Sequence, residues 1–137
     1  MKLTAARIFV NDLAAATSFY EGALGLRVVA RGPEASYVVF EAGGVDVVVE
    51  QVAPSAPQEE QELVGRFTGL SFAVAGIEAV CAALQKKGVV FAGLPERQPW
   101  GGTLATLRDP SANELQLVEY PSGVTNQPAA TAMQELP

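Results

Sequence analysis

The chain has 137 residues, of which 49% are hydrophobic and 18% charged, a composition typical of one globular domain or two small half-domains sharing a core. Its net charge is −6, and no Lys or Arg cluster extends beyond Lys86-Lys87. A surface without a positive field argues against nucleic acid and anionic membranes as partners. No apolar run reaches the length of a membrane span, and the N-terminal segment lacks a signal-peptide core. We therefore expect a cytoplasmic protein.

The first part of the chain predicts the element order strand, helix, strand, strand, strand. Residues 4–13 alternate as a strand does, and Asp12 is a suitable N-cap for a helix in the segment AAATSFYEGAL. Gly25 supplies the left-handed residue that ends this helix. Turn-forming pairs separate the strands that follow. These strands are expected at 26–31, 36–41 and 45–52.

The same order returns after an acidic, proline-containing segment. The two predicted helix starts, Asp12 and Gly76, lie 64 positions apart, and the last-strand residues Glu50 and Glu119 lie 69 apart. These offsets predict an internal duplication whose second copy is longer around PERQPWGG. The second-copy elements are a strand at 69–75, a helix at 76–87 ended by Gly88, and strands at 89–92, 104–108 and 114–120.

The repeat divides the chain into four segments. We expect a first βαβββ module at 1–53, a linker at 54–66, a second module at 67–121 and a flexible tail at 122–137, with a partner-binding peptide as the alternative for the tail. The single cysteine, Cys81, lies on the apolar stripe of the second helix and is interpreted as a small core residue.

Three stretches carry a resemblance to a known family. They are RIFVNDLAAATSFYEGALGL, PWGGT at 99–103 and DPSANELQLVEY at 109–120. The chain resembles the vicinal oxygen chelate superfamily, which includes glyoxalase I, extradiol dioxygenases, and fosfomycin and bleomycin resistance proteins. The resemblance covers 1–121, with Ala112 in place of the glycine in the family's aspartate-proline-x-glycine-asparagine turn. It implies an α+β fold of two βαβββ modules forming a cup-shaped mixed sheet, and a homodimer.

The resemblance also implies where a metal would bind in metal-using members. Carried onto this chain, the four ligand positions fall on Ala5, Gly69, Glu50 and Glu119, and the chain contains no histidine. Two carboxylates fall short of the three protein ligands typical of catalytic zinc and of the oxygen shell of hard cations. We expect no metal and no other cofactor, with a divalent ion held weakly through water as the alternative.

The cavity lining is predicted from strand alternation, starting from Ala5. Side chains two apart share a face, so Arg7 and Phe9 would point into the cup. The expected ligand-binding set is Arg7, Phe9, Glu50, Ser71, Trp100 and Glu119. Two alternatives stay open: Arg7 only neutralises carboxylates or faces solvent, and Trp100 is an aromatic plug covering one end of the sheet.

These residues support two main hypotheses. The first is a protein that binds a small organic molecule in a metal-free cup, in the manner of bleomycin resistance proteins, and so sequesters a drug or xenobiotic. The second is a glyoxalase- or dioxygenase-type enzyme in which Glu50 or Glu119 is a general base or holds a weakly bound divalent metal. A third possibility is an interaction or regulatory module. The sequence leaves open whether a reaction is catalysed.

Overall fold

A computed structural model of the chain describes residues 1–123. These residues form two compact units. The first unit is Met1–Arg66 together with Pro110–Asn113, and the second is Phe67–Asp109 together with residues 114–123. The tail predicted at 122–137 lies almost entirely outside the described residues. No helix in the described part of the chain combines the length and apolar character that crossing a membrane requires.

The first unit contains a four-stranded mixed sheet in the order β1-β4-β3-β2. β1 runs parallel to β4, and the remaining pairs are antiparallel. This is the βαβββ arrangement that the sequence predicts. The elements are β1 Ala5–Val10, α1 Leu13–Thr17, a π-helical turn Ser18–Ala23, β2 Arg27–Arg31, a 3-10 turn Pro33–Ala35, β3 Tyr37–Ala42, β4 Val45–Gln51 and α2 Gln58–Gln61.

Local sequence signals fix the first helix as predicted at both ends. Asp12 caps α1, because its Oδ1 accepts a hydrogen bond from the amide of Ala15 at 3.0 Å. Gly25 has a φ of 73° and ends the helical segment. The second half of that segment is a wider π turn instead of α-helix. It buries the neighbouring rings of Phe19 and Tyr20, whose centroids lie 4.8 Å apart edge to face.

Strand alternation separates the two faces of the first sheet. Ile8 and Val10 of β1 are buried, while Arg7 and Phe9 lie on the opposite, more open face. The core on the helix side continues through alternate residues of β3 and β4. These are Val38, Phe40, Val47 and Val49.

The second unit repeats the same arrangement, with the strand order β5-β8-β7-β6. β5 is parallel to β8, and the other pairs are antiparallel. The helix carries the predicted apolar stripe, in which Cys81 is 2% exposed and therefore a core residue, as expected. The elements are β5 Phe67–Ala73, α3 Ile77–Lys86, β6 Val90–Arg97, β7 Thr103–Arg108 and β8 Glu114–Glu119.

The extra length of the second copy lies in a longer hairpin. β6 continues to Arg97, beyond the predicted end at 92, because two irregularities let it pair with β7 through Pro95. A tight turn then connects the strands, with the Gln98 amide donating to the Gly102 carbonyl at 2.8 Å. The α+β class with two βαβββ modules is thus confirmed, each module having its own four-stranded sheet.

Candidate functional site

The first unit contains a cavity of about 460 Å³ on the open face of its sheet. β1 and β4 form one wall, and the segment after β4 forms the other. The volume lies in the range of small-molecule sites. The lining includes Arg7 and Phe9 from β1, Glu50 and Gln51 from β4, and Ala53, Ala56, Glu60 and Leu63 from the following segment.

Arg7 and Glu50 form a two-point ion pair in this cavity. Arg7 Nε donates to Glu50 Oε1 at 2.7 Å and Nη2 donates to Oε2 at 2.9 Å. In the parallel register of β1 and β4, Phe9 is paired with Glu50. Arg7 precedes Phe9 by two residues and lies on the same face of the sheet, so its long side chain reaches Glu50 diagonally. The hydrogen bonds that Arg7 donates to Glu50, together with the negative charge of Glu50, raise the pKa of the Arg7 guanidinium, which stays protonated.

Phe9 lies under the guanidinium of Arg7. The Arg7 Cζ atom is 5.1 Å from the centroid of the Phe9 ring, a cation–π distance. Three residues that the sequence placed together, Arg7, Phe9 and Glu50, are therefore together in the first unit. The Arg7 side chain is 59% exposed and that of Glu50 is 27% exposed, so both remain accessible from the cavity.

Sequence reasoning missed the second wall of the cavity. The segment interpreted only as a linker supplies Glu60 and Leu63, and Gln61 closes it on itself by donating to the carbonyl oxygens of Ala53 and Pro54 at 2.7 and 3.1 Å. A signal was present, because Leu63 and Val64 are apolar residues in an otherwise acidic and polar stretch. Such residues indicate a segment that packs against something.

Glu119 does not share a face with Ser71, and the prediction that it does is wrong. Ser71 pairs with Gln116, and Glu119 follows Gln116 by an odd number of residues, so its side chain points to the opposite face of β8. There its carboxylate accepts hydrogen bonds from the amides of Gly76 at 2.9 Å and Ile77 at 3.1 Å. Glu119 therefore binds the start of α3.

The error comes from matching Glu119 with Glu50. The amide of Leu13, at the start of α1, donates to Gln51 Oε1 at 2.8 Å, as the amide of Ile77 does to Glu119 in the second unit. Gln51 is thus the counterpart of Glu119, and the true offset is one residue shorter than the predicted one. A slip of one residue along a strand exchanges its two faces.

Ser71 and Trp100 both lie in the second unit. Ser71 is exposed on β5. Trp100 is 51% exposed, and its ring lies directly over Gly102 and 6.0 Å from the centroid of Tyr120. The tryptophan therefore offers an open aromatic surface next to the β6–β7 turn.

The residues at the four family metal positions do not fit a divalent cation. Ala5 and Gly69 have no donor side chain, Glu50 bonds to Arg7 through both oxygens, and Glu119 bonds to the α3 amides through both oxygens. Within residues 1–123, no three His, Cys, Asp or Glu side chains lie grouped as a metal site requires.

Comparison with known proteins agrees with the fold and the motifs. Residues 2–117 match the model of the Glyoxalase/Bleomycin resistance protein/Dioxygenase superfamily. The chain belongs to this superfamily, as its sequence resemblance predicts.

Individual relatives are moderately similar to the chain. The uncharacterized protein YraH of Bacillus subtilis (strain 168) is 29% identical over 124 residues, which cover 85% of this chain and 97% of that protein. A superfamily member from Sphaerobacter thermophilus DSM 20745 has a TM-score of 0.72 and 29% identity, covering 88% of this chain and 98% of its own. TnmS3, an antibiotic binding protein from Streptomyces sp. CB03234, has a TM-score of 0.67 and 27% identity, covering 89% of this chain and 97% of its own.

Proposed function

We propose that the protein binds a small organic molecule in the cavity of its first unit, without chelating a metal, and so sequesters a drug or xenobiotic. The observation that carries this proposal is the Arg7–Glu50 ion pair, which places a guanidinium against the carboxylate that a metal would need. Phe9 beneath the guanidinium adds an aromatic surface. The similarity to an antibiotic binding protein is consistent with such a role.

The charges in the cavity favour a cationic ligand. Arg7 and Glu50 neutralise each other, whereas Glu60 also lines the cavity and forms no ion pair within residues 1–123. One uncompensated carboxylate remains, in a protein whose net charge is −6. Electrostatic complementarity therefore favours a planar aromatic cation, with its positive group towards Glu60.

The enzyme alternative is less well supported by the same contacts. A general base must present a free carboxylate oxygen to the substrate. Glu50 accepts two short bonds from a guanidinium, and Glu119 accepts two from backbone amides. Both carboxylates are thus already bonded to donors of the protein itself.

Titration of the full-length protein with the planar cation proflavine, followed by fluorescence anisotropy, tests the proposal. We expect saturable binding with one site per chain, weakened about tenfold in Glu60→Gln, since one charge-assisted contact contributes ~1.5 kcal/mol or more. Glu59→Gln is the matched control, because Glu59 lies one residue away on α2 and does not line the cavity. Equal affinities of the two variants would contradict a site at Glu60.

Three further measurements test the rest of the proposal. Calorimetry with Ni²⁺, Zn²⁺ and Mn²⁺ should show no stoichiometric binding below micromolar dissociation constants, and a tightly bound ion would overturn the metal-free assignment.

Trp100 and Ser71 remain proposed ligand contacts. Because both residues lie in the second unit, Trp100→Ala and Ser71→Ala test this proposal separately from the cavity of the first unit, and a variant that binds ligand as wild type does removes its residue from the proposal. Homodimerisation is proposed as well, and analytical ultracentrifugation tests it.

A further inference from the structure

The turn between β7 and β8 is part of the first unit, although both strands belong to the second. The residues Pro110–Asn113 make their contacts with Met1–Arg66 and therefore belong to the first unit. Asn113, at the end of this turn, is 1% exposed, which makes it one of the most deeply buried polar residues described. A side chain with donor and acceptor groups is buried only where it forms hydrogen bonds.

Asn113 connects two walls of the cavity. Its Nδ2 donates to the carbonyl oxygen of Phe9 at 2.8 Å, and its Oδ1 accepts from the amides of Gly65 at 2.9 Å and Arg66 at 3.1 Å. Phe9 belongs to the β1 wall, and Gly65 ends the segment that forms the other wall. Val64 next to it forms an isolated parallel bridge with Phe9.

The Phe9–Val64 bridge also lies at this end of the cavity, so Asn113 and the bridge together join the two walls. The side chain of Gln61, by contrast, bonds only within the second wall, to the carbonyl oxygens of Ala53 and Pro54. The buried side-chain amide of Asn113 therefore bonds to both walls at once. Removing it would leave the Phe9 carbonyl and the amides of Gly65 and Arg66 without this partner, and a buried polar group that loses its hydrogen bond is destabilising.

We propose that Asn113 is a positioning residue for the ligand cavity: it holds the segment of Glu60 and Leu63 at a fixed distance from Phe9 and thereby sets ligand affinity, although it does not line the cavity. This inference rests on the proposed function. A cavity is effective when its walls are held before the ligand arrives, because the ligand then does not have to order them.

Ser111 provides a matched control in the same turn. It is 7% exposed, and its Oγ donates to Asn11 Oδ1 at 3.0 Å and accepts from the Asn11 amide at 3.1 Å. Ser111→Ala therefore removes buried hydrogen bonds of the turn without touching the Gly65 and Arg66 amides. We compare it with Asn113→Ala in the full chain.

Two readouts separate positioning from general destabilisation. In Asn113→Ala, hydrogen exchange of the Gly65 and Arg66 amides should become at least tenfold faster, and proflavine affinity should fall about tenfold, because lost hydrogen bonds of this kind contribute ~1.4 kcal/mol or more. Ser111→Ala should change neither by more than about twofold at a temperature where both variants are folded. An Asn113→Ala protein with wild-type affinity would overturn the proposal, and so would an equal loss in both variants.

If Asn113→Ala does not fold, Asn113→Asp replaces it. The carboxylate still accepts from Gly65 and Arg66 but cannot donate to Phe9, so amide protection should persist while proflavine affinity falls. Wild-type affinity in Asn113→Asp would overturn the positioning role. If the wild-type protein itself does not bind proflavine, the proposed ligand class is wrong, and the exchange of the two amides alone then decides whether Asn113 holds the segment.

Discussion

The carboxylate of Glu119 bonds to the amide of Gly76 at 2.9 Å, where α3 begins. Gly76 is the N-cap residue and has no side chain with which to cap the helix. In the first unit two different side chains accept from the amides at the start of α1. The carboxylate of Asp12 accepts from the amide of Ala15, and the side-chain oxygen of Gln51 accepts from the amide of Leu13. The two modules thus satisfy equivalent helix amides with different side chains. A negative charge at this end also complements the helix dipole.

We predict that Glu119→Ala lowers the free energy of unfolding by about 1–2 kcal/mol, the usual cost of losing an N-terminal cap. Glu119→Gln should lose less, since an amide oxygen still accepts one bond, as Gln51 does in the first unit. Urea denaturation at neutral pH measures both values. Glu62→Ala, at an exposed position, is the control and should stay within ~0.5 kcal/mol of wild type. An alanine variant at 119 as stable as the control would show that the cap contributes nothing.

Ala112 has a φ of 65°, in the left-handed region that favours glycine. It occupies the position where the family turn has glycine, so its methyl group is held in a strained conformation. We predict that Ala112→Gly raises the free energy of unfolding by about 0.5–1 kcal/mol. Thermal and urea denaturation measure the change.

Ala82→Gly is the opposite control for that substitution. Ala82 is exposed in the middle of α3, where glycine should cost about 1 kcal/mol relative to alanine. The two substitutions are chemically identical, so a difference in sign isolates the backbone conformation. Destabilisation in both variants would show that the turn at Ala112 carries no strain.

Gly102 lies directly beneath the ring of Trp100. A Cβ atom at this position would be 2.0 Å from Trp100 Cζ3 and 2.9 Å from the carbonyl oxygen of Glu119. We predict that Gly102→Ala displaces the indole, because a side chain moves more readily than the β8 backbone. Since Trp100 is the only tryptophan, intrinsic fluorescence reports the displacement as a change in emission maximum.

Gly22→Ala controls for the added methyl group, since no atom lies within 4 Å of the Cβ it would introduce. Its emission spectrum should match that of wild type. An unchanged spectrum in Gly102→Ala as well would mean that the ring does not lie over the glycine. The experiment therefore tests the placement of the proposed aromatic contact without needing a ligand.

Local signals in the sequence predicted the fold well. Asp12 and Gly25 bound the first helical segment because capping and left-handed termination depend on a few neighbouring atoms. The facing of Arg7 and Phe9 followed from alternation within one strand. Their meeting with Glu50 depends on the parallel register of β1 and β4, whereas the family resemblance gave only Glu50 as a position in the cup.

The rest of the site depends on relationships between distant segments. Glu119 was assigned to the wrong face because two glutamates were matched across the repeat, and the strand period allows no error of one residue. Asn113 bonds to Phe9 and Gly65 from far along the chain, and no local pattern records such a contact. Glu60 became a cavity residue only through the fold of a segment that shows no strand or helix period.

Cys81 gives a prediction for the pH dependence of stability. Burial raises the pKa of its thiol from 9.0 to about 11, with a smaller contribution from the charge of Glu78. The native state therefore keeps the thiol proton at pH values where the unfolded chain releases it. The stabilisation from the neutral thiol is complete below pH 9 and is lost as the pH rises to about 11.

The comparison of wild type with Cys81→Ala isolates this effect, because the tyrosines and lysines titrate in both proteins. We expect wild type to be the more stable at pH 7, since alanine leaves a small cavity in the core around α3. Its advantage in free energy of unfolding should then shrink between pH 9 and 11, over which the unfolded thiol ionises. Urea denaturation of both proteins at intervals across this range measures the difference. A constant difference would mean that the thiol ionises equally in the folded and unfolded states, and that its burial does not affect its protonation.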